Sequence, residues 1–533
     1  MVFQSPSWAS SMPSSSMPDS TPICDFIFDE KYRRYSLASS RNPFVWGISG
    51  EVYSAVQVRQ RVDYLARSLA QEFGWHPNRG SEWDKIIGIF SLNTIDYIPL
   101  GWAIHKLSGI ATLINASSTV DELAYQLRAS KSSVLFTCIP LLATALEAAS
   151  KCGIPRSRVY ILEMPQELLN SFSTPAEFTT MSRLIEKEVL LLTSFENHTR
   201  TPNQKNVVLG LLPKGHIFGL SVFHTAVFRG ECVVVLHKFE LETLLAVIQR
   251  SRINVLYLVP PVIVSMVKND ELMRKYDLGS VHSIITGAAP LGLETAEQLG
   301  KLQPSWTILQ AYGLTETTAV ATATSPHDIF FGSSGSLLPS IEARLVSADG
   351  NDIEEYDTPG ELLLRGPTIV LGYLNNEAAN KATFQNGWLR TGDEAVLRKS
   401  AKGEDHVFIV DRIKELIKVK GFQVAPAELE AHLLTHPYVA DTAVIAVIDD
   451  DAGEVPKAYV VKAINAPGDD HIFIRDISKH VSDHKARYKW LRGGVEVIDV
   501  IPKTASGKIL RRHLRDRDCG AKAKMKTKAR PKL

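Results

Sequence analysis

The sequence predicts an α/β protein: a large N-terminal domain of helix-covered sheets plus a small β-rich subdomain, followed by a compact α+β unit at the C-terminal end. Three observations predict it. Short β-branched runs alternate with amphipathic helical stretches up to about residue 310. After residue 340 the strands shorten and are separated by Gly, Pro and Asp turns. From about residue 412 a second strand–helix pattern begins. Alternation of the first kind belongs to parallel sheets covered by helices.

Taken in order, Ile86-Ile87-Gly88-Ile89-Phe90 reads as a buried strand, and a helix is expected from near Asn93 through Ile104. Val134-Leu135-Phe136 is a second strand, with a helix over Leu141–Ala149. Val207–Leu212, Cys232–Leu236, Val255–Val259, Ser283–Ile285 and Trp306–Leu309 are further strands. Ile341–Val346, Gly360–Arg365 and His406–Val410 form the β-rich part. The last unit has helices at Pro426–Leu434 and His471–Lys485, and strands at Thr442–Val447, Ala458–Ala463 and Val495–Val500.

Composition narrows the class. The 533 residues hold 59 Lys+Arg against 58 Asp+Glu, a formal charge of +1, so nucleic acid is not expected as a partner. An apolar share of 45% supports buried cores, and the length calls for more than one domain. No apolar run is long enough to span a membrane, since 207–228 is broken by Pro213, Lys214, His216 and His224. Cys24, Cys138, Cys152, Cys232 and Cys519 form no CxxC and read as idle thiols in a reduced compartment. Residues 1–35 read as a disordered extension, with 1–22 rich in Ser, Pro and Met and free of Arg. Residues 516–533 read as a basic flexible tail.

Four stretches carry chemistry. Gln310-Ala311-Tyr312-Gly313-Leu314-Thr315-Glu316-Thr317 follows a strand; Thr315 offers a hydroxyl to a phosphate and Glu316 a hard oxygen to Mg²⁺. Trp388–Asp393 ends in a carboxylate after a Gly turn, and such a carboxylate can accept both hydroxyls of a ribose diol. The segment 411–422, from Asp411 to Phe422, is dense in charge and ends in a Gly turn. The segment 502–511 projects Lys508, a mobile point charge, from a turn of small residues. In isolation each has a plainer reading: a helix start, an Asx turn, a solvated linker and a surface lysine.

In this order and spacing the motifs resemble the adenylate-forming (AMP-binding) superfamily of acyl-CoA synthetases, 4-coumarate–CoA ligase-like enzymes, from about residue 40 to 512. Thr286-Gly287-Ala288-Ala289-Pro290-Leu291 resembles the family's adenine-edge loop, and Leu212–Gly219 its pocket-histidine segment. Gly360-Glu361, Arg365-Gly366-Pro367 and Gly372-Tyr373 resemble another family block. The resemblance implies an adenylation domain over 36–411 and a mobile α+β C-terminal lid domain over 412–515. It implies ATP, Mg²⁺ and CoA as cofactors and a carboxylic acid, fatty, aryl or polyketide-type, as substrate.

By the same resemblance Lys508, Thr315, Glu316 and His216 are catalytic, with Glu316 holding the metal. Gly287, Ala288, Ala289, Gln310, Ala311, Tyr312, Gly313, Leu314, Thr315, Asp393, Arg412 and Lys508 bind the nucleotide. Lys414 is the hinge, and Lys418, Lys420, Gly421 and Phe422 guide CoA. His216, Tyr257, Val259 and Val320 line the acid pocket.

One departure stands out. The family's Ser/Thr/Gly-rich phosphate loop ending in Lys-Gly, expected upstream of Val207, is missing near 190–206. Pro213-Lys214-Gly215 and Gly332–Ser336 do not replace it. The other motifs are intact, which favours a coding segment left out of this sequence over an inactive relic.

Three functions follow: an AMP-forming acid–CoA ligase, an acyl-adenylating enzyme that loads a carrier protein in secondary metabolism, and a non-catalytic paralogue. Pro531-Lys532-Leu533 resembles a Ser-Lys-Leu peroxisomal address with Pro in place of Ser; the other expectation is a cytoplasmic protein.

Overall fold

A computed structural model describes residues 2–6, 21–32, 36–169, 175, 177–189, 206–504 and 507–518. The chain forms two compact units, one of Met12–Leu258 with Glu271–Ile284, the other of Met1–Ser11, Val259–Asp270 and Ile285–Leu533.

The first unit contains a four-stranded parallel sheet in the order Ile110–Ile114, Ile86–Phe90, Val134–Thr137, Val159–Ile161. Every residue of Ile86–Phe90 is buried, as a strand covered on both faces requires. A second sheet in this unit runs Val255–Leu258, Val207–Gly210, Cys232–Val235, Phe44–Trp46, Val52–Tyr53, parallel except for the last pair. Capping is explicit: Ser54 and Gln57 box the start of Ala55–Phe73, and Gly74 ends it at φ 67°. Thr119 and Glu122 box Val120–Ser130 in the same way.

Several expectations shift here. The helix expected from Asn93 begins at Tyr97, because Asn93 is used elsewhere. Its Nδ2 donates to the carbonyls of Leu211, Leu212 and Leu236, and its Oδ1 accepts from the Lys214 N–H at 3.0 Å. Those bonds also take Leu211 and Leu212 out of the expected strand, which ends at Gly210. The expected disorder of 1–35 does not hold for the described parts. Phe3–Gln4 is an antiparallel strand against Glu342 and Ala343, and Cys24, Ile27 and Phe28 are buried around the helix Ile23–Phe26. A few apolar side chains suffice to dock segments whose average composition is polar.

In the other unit a seven-stranded antiparallel sheet runs Phe3–Gln4, Glu342–Val346, Gly360–Arg365, Trp388–Lys399, Phe384–Gln385. Asp352–Ile353 pairs with Glu342–Val346, and Asp405–Arg412 with Trp388–Lys399. Trp388–Asp393, expected to end in a turn, lies wholly inside the strand Trp388–Lys399. Gly392, at φ 70°, forms a bulge where the register against Gly360–Arg365 slips.

A five-stranded sheet, also in this unit, holds Phe422–Val424, Ile417–Val419, Gly453–Lys462 and Val439–Asp449, with Val495–Val497 parallel to Gly453–Lys462. Helices Pro426–Leu434 and Asp470–His484 supply Leu429, Leu433, Phe473, Ile477 and Val481 to its core. The Glu430 carboxylate lies beneath it, accepting from the Val444 N–H at 2.8 Å and from Arg511 on both oxygens at 2.7 and 2.8 Å. Arg511 Nε also donates to the Val444 carbonyl at 3.1 Å. Burial raises the Glu430 pKa, and the Arg511 charge opposes that shift. Arg511→Ala leaves this carboxylate buried and unpaired, so a loss of about 3–5 kcal/mol is expected in urea unfolding. A loss below about 1 kcal/mol would mean that the pair behaves like a surface one.

Cys24, Cys138, Cys152 and Cys232 are free thiols; burial pushes Cys24 up to about 11 and Cys232 to about 12, which makes these two poor nucleophiles. No helix among the described residues is long and apolar enough to cross a membrane.

Candidate active site

The strand Thr307–Tyr312 delivers Gln310, Ala311 and Tyr312, and the chain then turns back sharply at Gly313. A Cβ on Gly313 would lie 1.6 Å from the Ala319 carbonyl oxygen, so only glycine fits. Thr315–Thr317 forms a single 3₁₀ turn. It is held by the Thr317 hydroxyl, which accepts from the Leu314 N–H at 2.8 Å and faces the Ala319 carbonyl at 3.2 Å. Thr318 and Ala319 follow at φ 52° and 94°, a strained pair of the kind that gathers at functional sites. Thr315 is left exposed at the turn.

Glu316 is clamped from a neighbouring loop. The Tyr373 hydroxyl donates to Glu316 Oε1 at 2.7 Å, and the Val370 N–H donates to the Glu316 carbonyl at 3.0 Å. Tyr373 is in turn fixed by Asn380, whose Oδ1 accepts from the Tyr373 N–H at 2.6 Å while its Nδ2 donates to the Tyr373 carbonyl at 3.0 Å. Neither residue was expected to position Glu316. The Gly372-Tyr373 pair was a visible signal, but nothing in the sequence marked Asn380, which lies in the helix Glu377–Thr383.

Asp393 stands directly opposite Arg412 in the ladder between Trp388–Lys399 and Asp405–Arg412. The Tyr312 hydroxyl donates to Asp393 Oδ2 at 2.7 Å, and Arg412 Nε lies 3.5 Å from Oδ1. Burial raises the Asp393 pKa, while Tyr312, Arg412 and Lys508 pull it back down. Burial beside this carboxylate pushes the Tyr312 phenol far above its ordinary range, so Tyr312 is a donor at any working pH.

Lys508 joins this group. Gly507, at φ 83°, packs its Cα against Val259 and Pro261, and the Lys508 N–H donates to Thr504 Oγ1 at 3.1 Å. The Lys508 side chain keeps surface open to solvent, yet partial desolvation and the Arg412 guanidinium lower its pKa. Asp393, Glu415 and Glu316 act on it in the opposite sense. The electrostatic neighbours of Lys508 are therefore residues of the three other motifs.

The adenine-edge segment follows the strand Ser283–Thr286. Gly287 is buried, Ala289 is half-buried and Ala288 is exposed at φ 68°. Thr286 Oγ1 is buried with no hydrogen-bond partner among the described residues.

The other expected residues are positioned by their own elements. Lys414 is exposed in the turn after Asp405–Arg412, closed by Glu415 and Leu416 N–H groups on the Arg412 carbonyl. Lys418, Lys420, Gly421 and Phe422 belong to a two-residue hairpin whose turn residues, Lys420 and Gly421, have φ 48° and 84°. The Phe422 ring stacks on Tyr488 at 4.6 Å, and the Lys420 N–H donates to the Ala452 carbonyl. Val259 precedes the helix Pro260–Lys268, and Val320 follows the strained Ala319. His216 and Tyr257 belong to the first unit. His216 caps the helix Ile217–Phe228, its Nδ1 accepting from the Phe218 N–H at 3.3 Å, and Phe218 meets Tyr257 edge-on at 6.2 Å. The expected gap near 190–206 and the Pro531-Lys532-Leu533 terminus lie outside the described residues, apart from Asn206.

Comparison with known proteins identifies the family and the fold. The AMP-binding enzyme family matches in two pieces, residues 39–188 and 187–374, and the AMP-binding enzyme C-terminal domain matches 428–508. The acyl-CoA ligase easD of Emericella nidulans is 37% identical, covering 97% of this chain and 100% of that one. That alignment spans 564 positions, more than the 533 residues here, so residues of easD stand opposite gaps in this chain. The acyl-CoA ligase frbB of a Dothideomycetidae species is 38% identical over 89% of this chain and 92% of its own. Among solved structures, an anthranilate CoA ligase, AuaEII, bound to anthranoyl-AMP has the same fold, with a TM-score of 0.80 at 21% identity over 95% of this chain and 98% of that chain.

Proposed function

The chain belongs to the AMP-binding enzymes, and from that premise we propose that it is an ATP-dependent acid–CoA ligase whose centre is the Lys508, Asp393, Arg412 and Glu316 cluster. The observation that carries the proposal is the electrostatic convergence of Lys508 on Asp393, Arg412 and Glu316, which come from three separate motifs. In the first half-reaction a carboxylate oxygen of the acid bonds to the α-phosphorus of ATP and the bond to pyrophosphate breaks. In the second, the CoA sulfur bonds to the acyl carbon, AMP leaves, and the thiol proton passes to solvent.

Each residue has a task within that chemistry. The Lys508 ammonium, under the influence of three carboxylates and a guanidinium, offsets the negative charge that gathers where carboxylate and phosphate meet. Asp393 accepts from the ribose hydroxyls, its orientation fixed by the Tyr312 hydroxyl. Arg412 supplies the matching positive charge beside it. Glu316 suits a Mg²⁺ brought in with ATP: it is a hard oxygen donor, and Tyr373 engages only its Oε1. Such an ion would neutralise phosphate charge. The hairpin of Lys418, Lys420, Gly421 and Phe422 is assigned to CoA, with movement about Lys414 exchanging it for Lys508.

The acid is proposed to be fatty, aryl or polyketide-type. The aromatic surface of Phe218 and Tyr257 near His216 supports an apolar acyl group. Relatives named acyl-CoA ligases favour CoA over a carrier-protein thiol. The retained cluster argues against a non-catalytic role. The meeting of the two family matches at 187–188, and the gaps in the easD alignment, support the reading that a phosphate-loop segment is missing from this sequence.

Two measurements test this. Sequencing the transcript across codons 185–206 is expected to reveal an in-frame insert encoding a Ser/Thr/Gly-rich loop that ends in Lys-Gly. The protein carrying it is expected to give acid-dependent pyrophosphate exchange and thioester with CoA, but none with a phosphopantetheinyl carrier. A transcript matching the chain as written, with no exchange for any acid, would restore the non-catalytic reading.

A further inference from the structure

The C-terminal unit holds a group of histidines that the ligase chemistry does not use. His432 lies in the last turn of Pro426–Leu434, and His480 and His484 lie in the last turns of Asp470–His484. The His432 and His480 rings are parallel with centroids 4.2 Å apart. His484 is 5.4 Å from His432 and 5.2 Å from His480, and His436 is 5.0 Å from His480. One nitrogen from each of His432, His480 and His484 lies within 4.8 Å of the other two, the one such group among the described residues.

We propose that His432, His480 and His484 form a binding site for a divalent transition cation of the Zn²⁺ class, with water or His436 as the fourth ligand. Three features support it. His480 and His484 are spaced i, i+4 on one helix, the spacing that aims two imidazoles at one metal. The carbonyl ends of two helices meet at the group, and such ends favour positive charge. The rings also pack against one another, His432 on His480 at 4.2 Å and His484 on both at 5.4 and 5.2 Å.

Charges around the site are compatible with a cation. Asp476 lies 3.3 Å from His436 Nε2, and Asp483 acts on His480. Lys485, which opposes positive charge on His432, is itself paired with Glu428 at 3.3 Å, and Lys268, which opposes it on His436, is offset by Asp441. Zn–N bonds of about 2.0–2.1 Å require the three rings to close in, which rotation about their side-chain bonds supplies. His432 and His480 each hold the other's backbone carbonyl through Nε2, at 3.2 and 3.3 Å, and His484 holds the His480 carbonyl through Nδ1 at 2.9 Å, so the cation takes the opposite nitrogen of each ring or displaces one of these bonds. Bound there, it ties one helix of this sheet to the other.

The test uses the full chain without a histidine tag, stripped with EDTA and titrated with Zn²⁺ at about pH 7.5, where imidazoles are neutral. Stoichiometric Zn²⁺ after dialysis and a raised unfolding temperature are expected. His484→Gln and His480→Gln should each weaken binding at least about tenfold, the scale on which even outer partners of a metal act. His484 is exposed, so its variant should unfold in EDTA at the parent temperature, while His282→Gln, at another exposed histidine, should bind as the parent does. Absence of retained Zn²⁺, or a thermal shift that survives in both His480→Gln and His484→Gln, would overturn the site.

Discussion

Replacing Lys508 with Ala is expected to lower acid-dependent pyrophosphate exchange by about 10²–10³-fold, the usual cost of losing one preorganised stabiliser of transition-state charge. Thioester formation from supplied acyl-adenylate and CoA should be nearly unchanged. The split follows from where the lysine sits. Its electrostatic neighbours are Arg412, Asp393, Glu415 and Glu316, the proposed nucleotide and metal groups, whereas the CoA hairpin touches Tyr488 and the Ala452 carbonyl. A group that serves only the first half-reaction should leave the second untouched. Equal loss in both steps would mean that Lys508 holds the fold or the adenylate throughout. The assay belongs on the protein carrying the phosphate segment, where parent exchange is measurable.

Replacing Gly313 with Ala is expected to cost at least about 3 kcal/mol of stability, the upper range for overpacking, because no side chain is available to move aside. The new methyl would meet the Ala319 carbonyl oxygen at 1.6 Å and the Val320 Cα at 2.8 Å, both backbone. Relief requires opening the turn that carries Thr315 and Glu316, so nucleotide binding should fall with stability. Urea unfolding of the full chain checks the first effect and ATP binding the second. Gly300→Ala is the control: it lies in the helix Leu293–Leu302 with nothing within 4 Å of its Cβ, so a neutral or slightly stabilising change is expected. Equal behaviour of the two variants would remove the steric argument.

The legibility of the chain varied with the range of the interaction. Pro426–Leu434 was readable to the residue, because Pro at the first helical position and apolar periodicity are local signals. Ile86–Phe90 was equally plain, since a fully apolar run of strand length has few other uses. Ile110–Ile114 and Val159–Ile161 escaped notice, being short strands whose identity comes from pairing with Ile86–Phe90 and Val134–Thr137. Phe3–Gln4 escaped for the same reason, with its partner more than 330 residues away.

By itself the sequence determined which residues are proposed for the chemistry and the order in which they come: Thr315 and Glu316, then Asp393 and Arg412, then Lys508. Those residues are individually ordinary, and their meaning lay in spacing, which is a property of the chain alone. Only the tertiary structure decided what orients them. Tyr312 turns Asp393, Tyr373 and Asn380 hold Glu316, and the ladder between Trp388–Lys399 and Asp405–Arg412 sets Asp393 opposite Arg412. The histidine group was likewise invisible, because 432 and 480 become neighbours only when two helices pack on one sheet. The physical reason is common to all of these: hydrogen bonds, ring contacts and charge interactions depend on distances of a few ångströms, and sequence separation does not encode distance once the chain has turned back on itself.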